Sequence, residues 1–273
     1  MKQTIMGVQD AGVIATAKHY ILNEQEHFRT PGQDPDYPNL PAITANLDDR
    51  TMHEIYLWPF AEAVRAGVGA IMCSYNQVNN SFSCQNSKIL NGLLKDELDF
   101  QGFVMSDWGA QHSGVASALA GLDMTMPGGA DLSYSGNSYW GSSLTQAVVN
   151  GSVPLSRLND MATRILAAWY YTGQDKGYPS ANFSSWTLQT NGYYYNVAQQ
   201  GYREINSHVD VRDNHGDISR NLVAESVVVL KNVNNTLPLY KPKQVGVFGS
   251  DAGPGIGGPN QFPDRGIYFY VTD

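Results

Sequence analysis

The sequence is poor in charge, in cysteine and in long apolar runs, and each shortage excludes something. Only 15% of its 273 residues are charged, with 17 basic against 25 acidic side chains and a formal net charge of −8. So few basic groups in a net-negative chain give a poor partner for nucleic acid phosphates or an anionic membrane. No apolar run approaches the roughly 18 residues needed to span a bilayer. The start, Met1-Lys2-Gln3-Thr4-Ile5-Met6, lacks the apolar core of a signal peptide, so the chain is expected to carry no export address of its own. Two cysteines, Cys73 and Cys84, without histidines at ligand spacing make a poor zinc site. They read either as two free buried thiols or as a short disulfide loop, which is worth roughly 3 kcal/mol by chain entropy.

What is present is a globular composition, 42% hydrophobic, with enough length for one large or two modest domains. Short apolar strands alternate with helical patterns. Strands are predicted at 12–17, 69–73, 102–106 and, briefly, 122–124. Met52, Ile55, Tyr56, Phe60, Ala63 and Val64 recur at helical spacing, with Pro59 kinking the run or starting a second segment. Ser87 is placed to cap a helix carrying Ile89, Leu90, Leu93, Leu94 and Leu98. Further helices are predicted near 113–120, 144–149 and 155–171. Strand, loop, helix, strand is the grammar of parallel α/β folds, whose active sites lie past the C-terminal ends of the strands. Polar residues crowd there three times, at Lys18-His19, Ser74-Tyr75-Asn76 and Asp107-Trp108. From 172 to 217 the apolar periodicity dissolves into Tyr, Asn, Ser and Gly, which reads as an extended linker. A second α/β start follows, with a helix at 218–226 and strands at 227–231 and 244–249.

Asp107 stands out. It follows an apolar strand and precedes a Trp and a Gly. A carboxylate beside a flat aromatic wall can attack a sugar anomeric carbon, while the alternative is a simple helix cap. Lys18 and His19 offer donors for sugar hydroxyls, against a surface Lys and a core His. Met72 and Tyr75 read first as core packing, and Glu24 and Glu26 as solvated loop residues. His53-Glu54 lacks the second His of a zinc-protease helix. Gly253–Gly258 fits G-x-G-x-x-G, but Pro254 and Pro259 flank it and no helical period follows, so it reads as a turn-rich loop rather than a dinucleotide site. Four Asn-x-Ser/Thr sequons, at Asn79, Asn150, Asn182 and Asn234, are candidate glycosylation sites and tilt the chain toward secretion.

Several segments occur together in order: Ala17-Lys18-His19-Tyr20-Ile21-Leu22-Asn23-Glu24-Gln25-Glu26, Met72-Cys73-Ser74-Tyr75-Asn76, Met105-Ser106-Asp107-Trp108-Gly109-Ala110, Ala120-Gly121-Leu122-Asp123-Met124 and Met126-Pro127-Gly128. With the 222–232 region, they resemble the fungal secreted β-glucosidases of glycoside hydrolase family 3 over essentially the whole chain. The resemblance implies a (β/α)8-type barrel followed by an α/β sandwich, and hydrolysis of terminal β-D-glucose with retention and without a cofactor. It gives Asp107 the role of nucleophile and makes Lys18, His19, Met72, Tyr75 and Trp108 substrate-binding residues, with Tyr134 near the leaving-group subsite. It also implies the Cys73–Cys84 disulfide.

On this resemblance, 1–171 is the C-terminal half of the barrel, 172–217 the linker and 218–273 the start of the sandwich. The acid/base Glu is then expected beyond Asp273, so the chain is expected to be an internal fragment of a longer secreted protein, with a homodimer compatible with the full-length parent, and weakly active or inactive alone. β-Xylosidase activity within the family and non-catalytic sugar binding are the competing readings. The N-acetylglucosaminidase branch is disfavoured because Lys18-His19-Tyr20-Ile21-Leu22 does not match its loop.

Overall fold

A computed structural model describes residues 1–34, 36–129, 137–196 and 198–248. Tyr134, the Gly253–Gly258 loop and the predicted sandwich beyond residue 248 lie outside the described residues. The chain divides into two compact units, Met1–Tyr178 and Pro179–Asp273.

The first unit contains strands Thr16–Tyr20 (β1), Thr44–Ala45 (β2), Ala70–Cys73 (β3), Gln77–Val78 (β4), Ser81–Phe82 (β5) and Phe103–Ser106 (β6). β1, β3 and β6 lie side by side in that order, all parallel. Every residue of β3 is buried. A central parallel strand covered on both faces must be apolar throughout, which is why Ala70-Ile71-Met72-Cys73 is an unbroken apolar run. The predicted strand at 122–124 is reduced to a single parallel bridge from Met124 to Met105. The architecture is therefore α/β with parallel strands, as expected, and the described residues do not close a barrel. A small second sheet, β2 parallel to β4 and β4 antiparallel to β5, sits beyond the end of β3.

The crossovers follow the helical periodicities. Between β1 and β3, Asp48 caps Asp49–Thr51 by accepting the Thr51 N–H at 2.9 Å. The helix widens into a π turn over Met52–Tyr56 and resumes at Trp58–Arg65, with Pro59 in its first turn, where a missing N–H costs nothing. Between β3 and β6 runs Lys88–Glu97, which buries Ile89, Leu90, Leu93 and Leu94. Its expected cap is not made: Asn86 Oδ1 accepts the Ile89 N–H at 3.3 Å, and Ser87 Oγ instead accepts from Asn91. Helices at Lys2–Asp10, Val115–Ala120, Ser142–Val149 and Leu155–Tyr171 also belong to the unit. The core joins Tyr20, Ile71, Leu90, Leu94, Val104 and Leu122. Tyr20 is buried because its ring meets Phe60 edge-on at 4.8 Å and its hydroxyl donates to the Ile89 carbonyl at 2.8 Å. Gly102 is required just ahead of β6, since a Cβ there would lie 2.3 Å from the Gly69 carbonyl oxygen.

Three expectations are corrected. β1 begins at Thr16 rather than at residue 12 and continues to Tyr20, so Lys18 and His19 lie within a strand rather than past its end. The register shifts between Ala17 and Tyr20, and that irregularity lets Lys18 face out while Ala17 and Tyr20 stay buried. The stretch expected to be an extended linker contains an antiparallel hairpin, Asn191–Tyr195 (β7) and Gln200–Glu204 (β8). Tyr193 stands opposite Tyr202 with ring centroids 5.3 Å apart, and Arg203 covers Tyr194 at 3.9 Å. Tyrosine pairs hold such a hairpin without the apolar alternation that signals a strand in sequence. The hairpin belongs to the second unit, where a helix also forms at His215–Ser226. Its neighbours at 227–231 are not a strand, nor are 244–248, and Val228 and Leu230 are exposed. An apolar run becomes a strand only when another strand pairs with it, and no partner stands there among the described residues.

Candidate active site

The ends of the three parallel strands supply the site. β6 delivers Asp107 one residue past Ser106, and the Asp107 N–H continues the ladder by donating to the Cys73 carbonyl at 3.2 Å. The carboxylate is buried, 8% exposed for the residue, yet its oxygens are satisfied. Oδ1 accepts the Trp108 N–H at 2.7 Å and the Tyr75 hydroxyl at 3.0 Å. Oδ2 lies 3.2 Å from His19 Nε2. Tyr75 follows β3 and His19 belongs to β1, so each of the three strands contributes one group to this cluster.

Burial holds His19 below the usual histidine range, even though the Asp107 charge pulls the other way and Lys18 adds to the depression. His19 is then neutral at pH 7, and the hydrogen sits on Nε2 so that the ring can donate to the carboxylate. Burial and the neighbouring Asp107 charge both push Tyr75 above the usual phenol range, so it stays a donor. Its hydroxyl also lies 3.0 Å from the Trp108 carbonyl.

The structure brings four of the predicted residues together: Asp107, His19, Tyr75 and Trp108. The Trp108 side is open, 40% exposed, and offers an accessible aromatic face. Lys18 is exposed next to His19, and Met72 is buried within β3, opposite Met105. The Cys73–Cys84 disulfide forms, with Cα atoms 5.3 Å apart and both residues fully buried. It ties the end of β3, two residues before Tyr75, to the turn Ser83–Gln85.

One site neighbour went unnoticed in the sequence. The Arg29 guanidinium lies 4.7 Å from the centre of the Tyr75 ring and pairs with Glu26, which reads in sequence as a solvated loop residue. Nothing local ties Arg29 to the site, because Tyr75 is far away in the chain. A cleft of about 350 Å³ runs along Lys18, His19, Asn23, Glu24 and Glu26. A more apolar cavity of about 430 Å³ is lined by Gly69, Gly102, Ala168 and Tyr171. It sits at the opposite strand ends from Asp107 and has no polar constellation of this kind, so the Asp107 cluster is the better site.

Residues 1–168 match the glycosyl hydrolase family 3 N terminal domain. The chain belongs to this family. It is 59% identical over 269 residues to "Beta-glucosidase 1" of Aspergillus aculeatus, covering 97% of this chain and 31% of that protein. It also resembles two solved family 3 structures. One, "Chaetomium thermophilum beta-glucosidase", is 58% identical with a TM-score of 0.88, covering 97% of this chain and 32% of that one. The other, a family 3 β-glucosidase from Neurospora crassa, is 56% identical with a TM-score of 0.88, covering 95% of this chain and 31% of that one. The chain therefore spans about 31% of the length of the curated relatives it matches.

Proposed function

We propose that the protein carrying this chain is a retaining β-glucosidase that releases terminal β-D-glucose from cellobiose and other β-glucosides. The observation that carries this reading is the Asp107 carboxylate, with Oδ1 held by Trp108 and Tyr75 and Oδ2 near His19. Two donors quench Oδ1, so Oδ2 is the freer oxygen and attacks the anomeric carbon. The bond from that carbon to the aglycone oxygen breaks, and the oxygen takes a proton from a carboxylic acid. Water then attacks the glucosyl ester, gives its proton to the same carboxylate, and frees Asp107. The second carboxyl is assigned to a segment beyond residue 273 of this numbering, so the isolated chain is weakly active or inactive.

Lys18 and His19 would hold glucose hydroxyls, Trp108 the apolar face of the ring, and Met72, Tyr75 and Tyr134 the rest of the subsites. The parallel sheet would form half of a (β/α)8 barrel over 1–171, with 172–217 leading into an α/β sandwich from 218. Secretion fits the four sequons at Asn79, Asn150, Asn182 and Asn234, and a homodimer is compatible with the family. Among the described residues, no helix is long and apolar enough to cross a membrane. β-Xylosidase activity is the competing reading, separated by comparing aryl glucoside and aryl xyloside turnover.

The decisive experiment treats the protein, with whatever flanking sequence its gene supplies, with a dinitrophenyl 2-deoxy-2-fluoro-β-glucoside. The fluorine slows release of the covalent intermediate. Peptide mapping is expected to find the sugar on Asp107. A label on another carboxylate, with Asp107 unmodified, sinks the assignment.

A further inference from the structure

A second cluster of buried charges lies behind the site. The Asp123 side chain is 0% exposed, Lys95 is 6% and Arg157 is 13%. Lys95 Nζ lies 2.9 Å from both Asp123 oxygens and donates to the Gly121 carbonyl at 2.7 Å. Arg157 Nη2 donates to Asp123 Oδ1 at 2.7 Å and to the Leu122 carbonyl at 2.8 Å. Besides Lys95, Oδ2 accepts the backbone N–H of Val104 at 2.8 Å. Val104 is in β6, three residues before Asp107.

β6 needs this support because its two edges are held differently. On one side it has the β3 ladder, which continues to the Asp107 N–H. On the other, among the described residues, there is no strand, and the 122–126 segment takes its place. That segment grips β6 through Asp123 and Met124 N–H groups to the Val104 carbonyl, at 2.9 and 3.0 Å, and through the Ser106 N–H to the Met124 carbonyl at 3.0 Å. It continues past the site with Met126 N–H to Ser106 Oγ at 2.8 Å and Gly109 N–H to the Met126 carbonyl at 3.0 Å. The Leu155–Tyr171 helix braces both ends of β6. Arg157 holds 122–123, and Arg164 donates to the carbonyls of Phe100 and Gly102 at 2.7 and 3.1 Å.

Resting on the nucleophile reading above, we propose that Asp123 is a positioning residue for Asp107: clamped by Lys95 and Arg157, it sets where the end of β6 presents that carboxylate. Apolar residues of similar volume would stabilise such a site about as well as an ion cluster. What the cluster adds is direction, and direction matters at a nucleophile, where a displacement of roughly 1 Å costs on the order of a hundredfold in rate.

The cluster also carries a titration. Burial pulls Lys95 down to about 8, opposed by Asp123 and reinforced by Arg157 and Arg164. Asp160 faces the group only through Arg157 and Arg164. Above about pH 8, Lys95 loses its charge and one clamp on Asp123 weakens. Stability moves the other way. Between the folded value and the ordinary lysine range the unfolded chain binds more protons, so folding is favoured as pH rises. The two roles therefore separate in opposite directions along one axis.

The test uses the dinitrophenyl 2-fluoroglucoside, whose leaving group needs no proton, so the rate of sugar attachment to Asp107 reads the nucleophile alone. In the unaltered protein that rate is expected to fall above about pH 8 as Lys95 discharges. Lys95→Met is expected to label about tenfold more slowly and to lose that alkaline fall, with glucose affinity kept within about threefold. Asp123→Asn is expected to label about a hundredfold more slowly. A Lys95→Met variant that labels at the unaltered rate, keeps the alkaline fall, or loses glucose affinity in step with its labelling overturns the proposal. Thermal unfolding shows whether Asp123→Asn folds; if it does not, the Lys95→Met profile decides alone. Failure of the nucleophile reading is distinct, because the unaltered protein would then take no label on Asp107.

Discussion

The Tyr75 hydroxyl donates to Asp107 Oδ1 across 3.0 Å, between side chains 32 positions apart in sequence. It is one of two donors on that oxygen, the other being the Trp108 N–H. A hydrogen bond to a charged group is worth about 1.5–3 kcal/mol. Tyr75→Phe should therefore slow the attachment of a fluoroglucosyl group to Asp107 by roughly ten- to a hundredfold, with thermal stability little changed. An unaltered rate would remove Tyr75 from the site.

His19 should titrate below the ordinary histidine value near 6.5, because burial outweighs the pull of Asp107. A folded value below the unfolded one makes its contribution to stability complete above about pH 6.5, and this is lost as pH falls through the folded value. The imidazole C–H resonance of His19, followed by NMR against pH, measures this directly. A midpoint above 6.5 would mean that the ring is charged at the site and that the neutral Nε2–H tautomer is wrong.

Removing the disulfide should act on stability first. The bridge closes a loop between residues 11 positions apart, and such short loops contribute roughly 3 kcal/mol. The paired change Cys73→Ala and Cys84→Ala should lower Tm by about 6–12 °C for a unit of this size. Both sulfurs are buried, so reductant without denaturant should leave the bridge intact. Rapid reduction of the native protein would contradict that.

The four sequons are not equivalent. Asn79 Oδ1 accepts the Leu47 N–H at 3.1 Å and Asn79 Nδ2 donates to the Leu47 carbonyl at 3.3 Å. Asn150 uses only its oxygen, accepting the Ser152 N–H at 3.0 Å. Peptide mapping of the protein expressed through a eukaryotic secretory pathway should find a glycan on Asn150 and none on Asn79. Asn79→Ala should cost about 1–2 kcal/mol, through the lost Leu47 pairing and a left-handed backbone that favours Asn over Ala. Full glycan occupancy at Asn79 would show that the pairing is not made.

Much of the fold was legible because its signals are local. The helix predicted at 155–171 forms over Leu155–Tyr171, since its apolar stripe is long and uninterrupted. β3 and β6 form within one residue of their expected starts, because a strand buried on both faces must be apolar at every position. The shifted β1 was less legible, since its irregular register answers to β3 and not to its own alternation. The tyrosine hairpin at 191–204 was missed because cross-strand ring contacts carry it. The 227–231 run was overread for the converse reason: it has β-forming residues but no partner strand among the described residues.

From its letters alone this chain could be assigned a parallel α/β plan, a family, and Asp107 as the residue to watch. Those are matters of local periodicity and short motifs, which need no knowledge of distance. Folding settled the rest, because the rest depends on which strands become neighbours. Adjacency of β1, β3 and β6 brings His19, Tyr75 and Asp107 within hydrogen-bond reach, and it lays Arg29 over Tyr75. It also gathers Lys95, Asp123 and Arg157 behind β6 from three separate elements. A buried charge is tolerated only where its partners are assembled around it, and that assembly is a property of the packed chain rather than of any stretch of it.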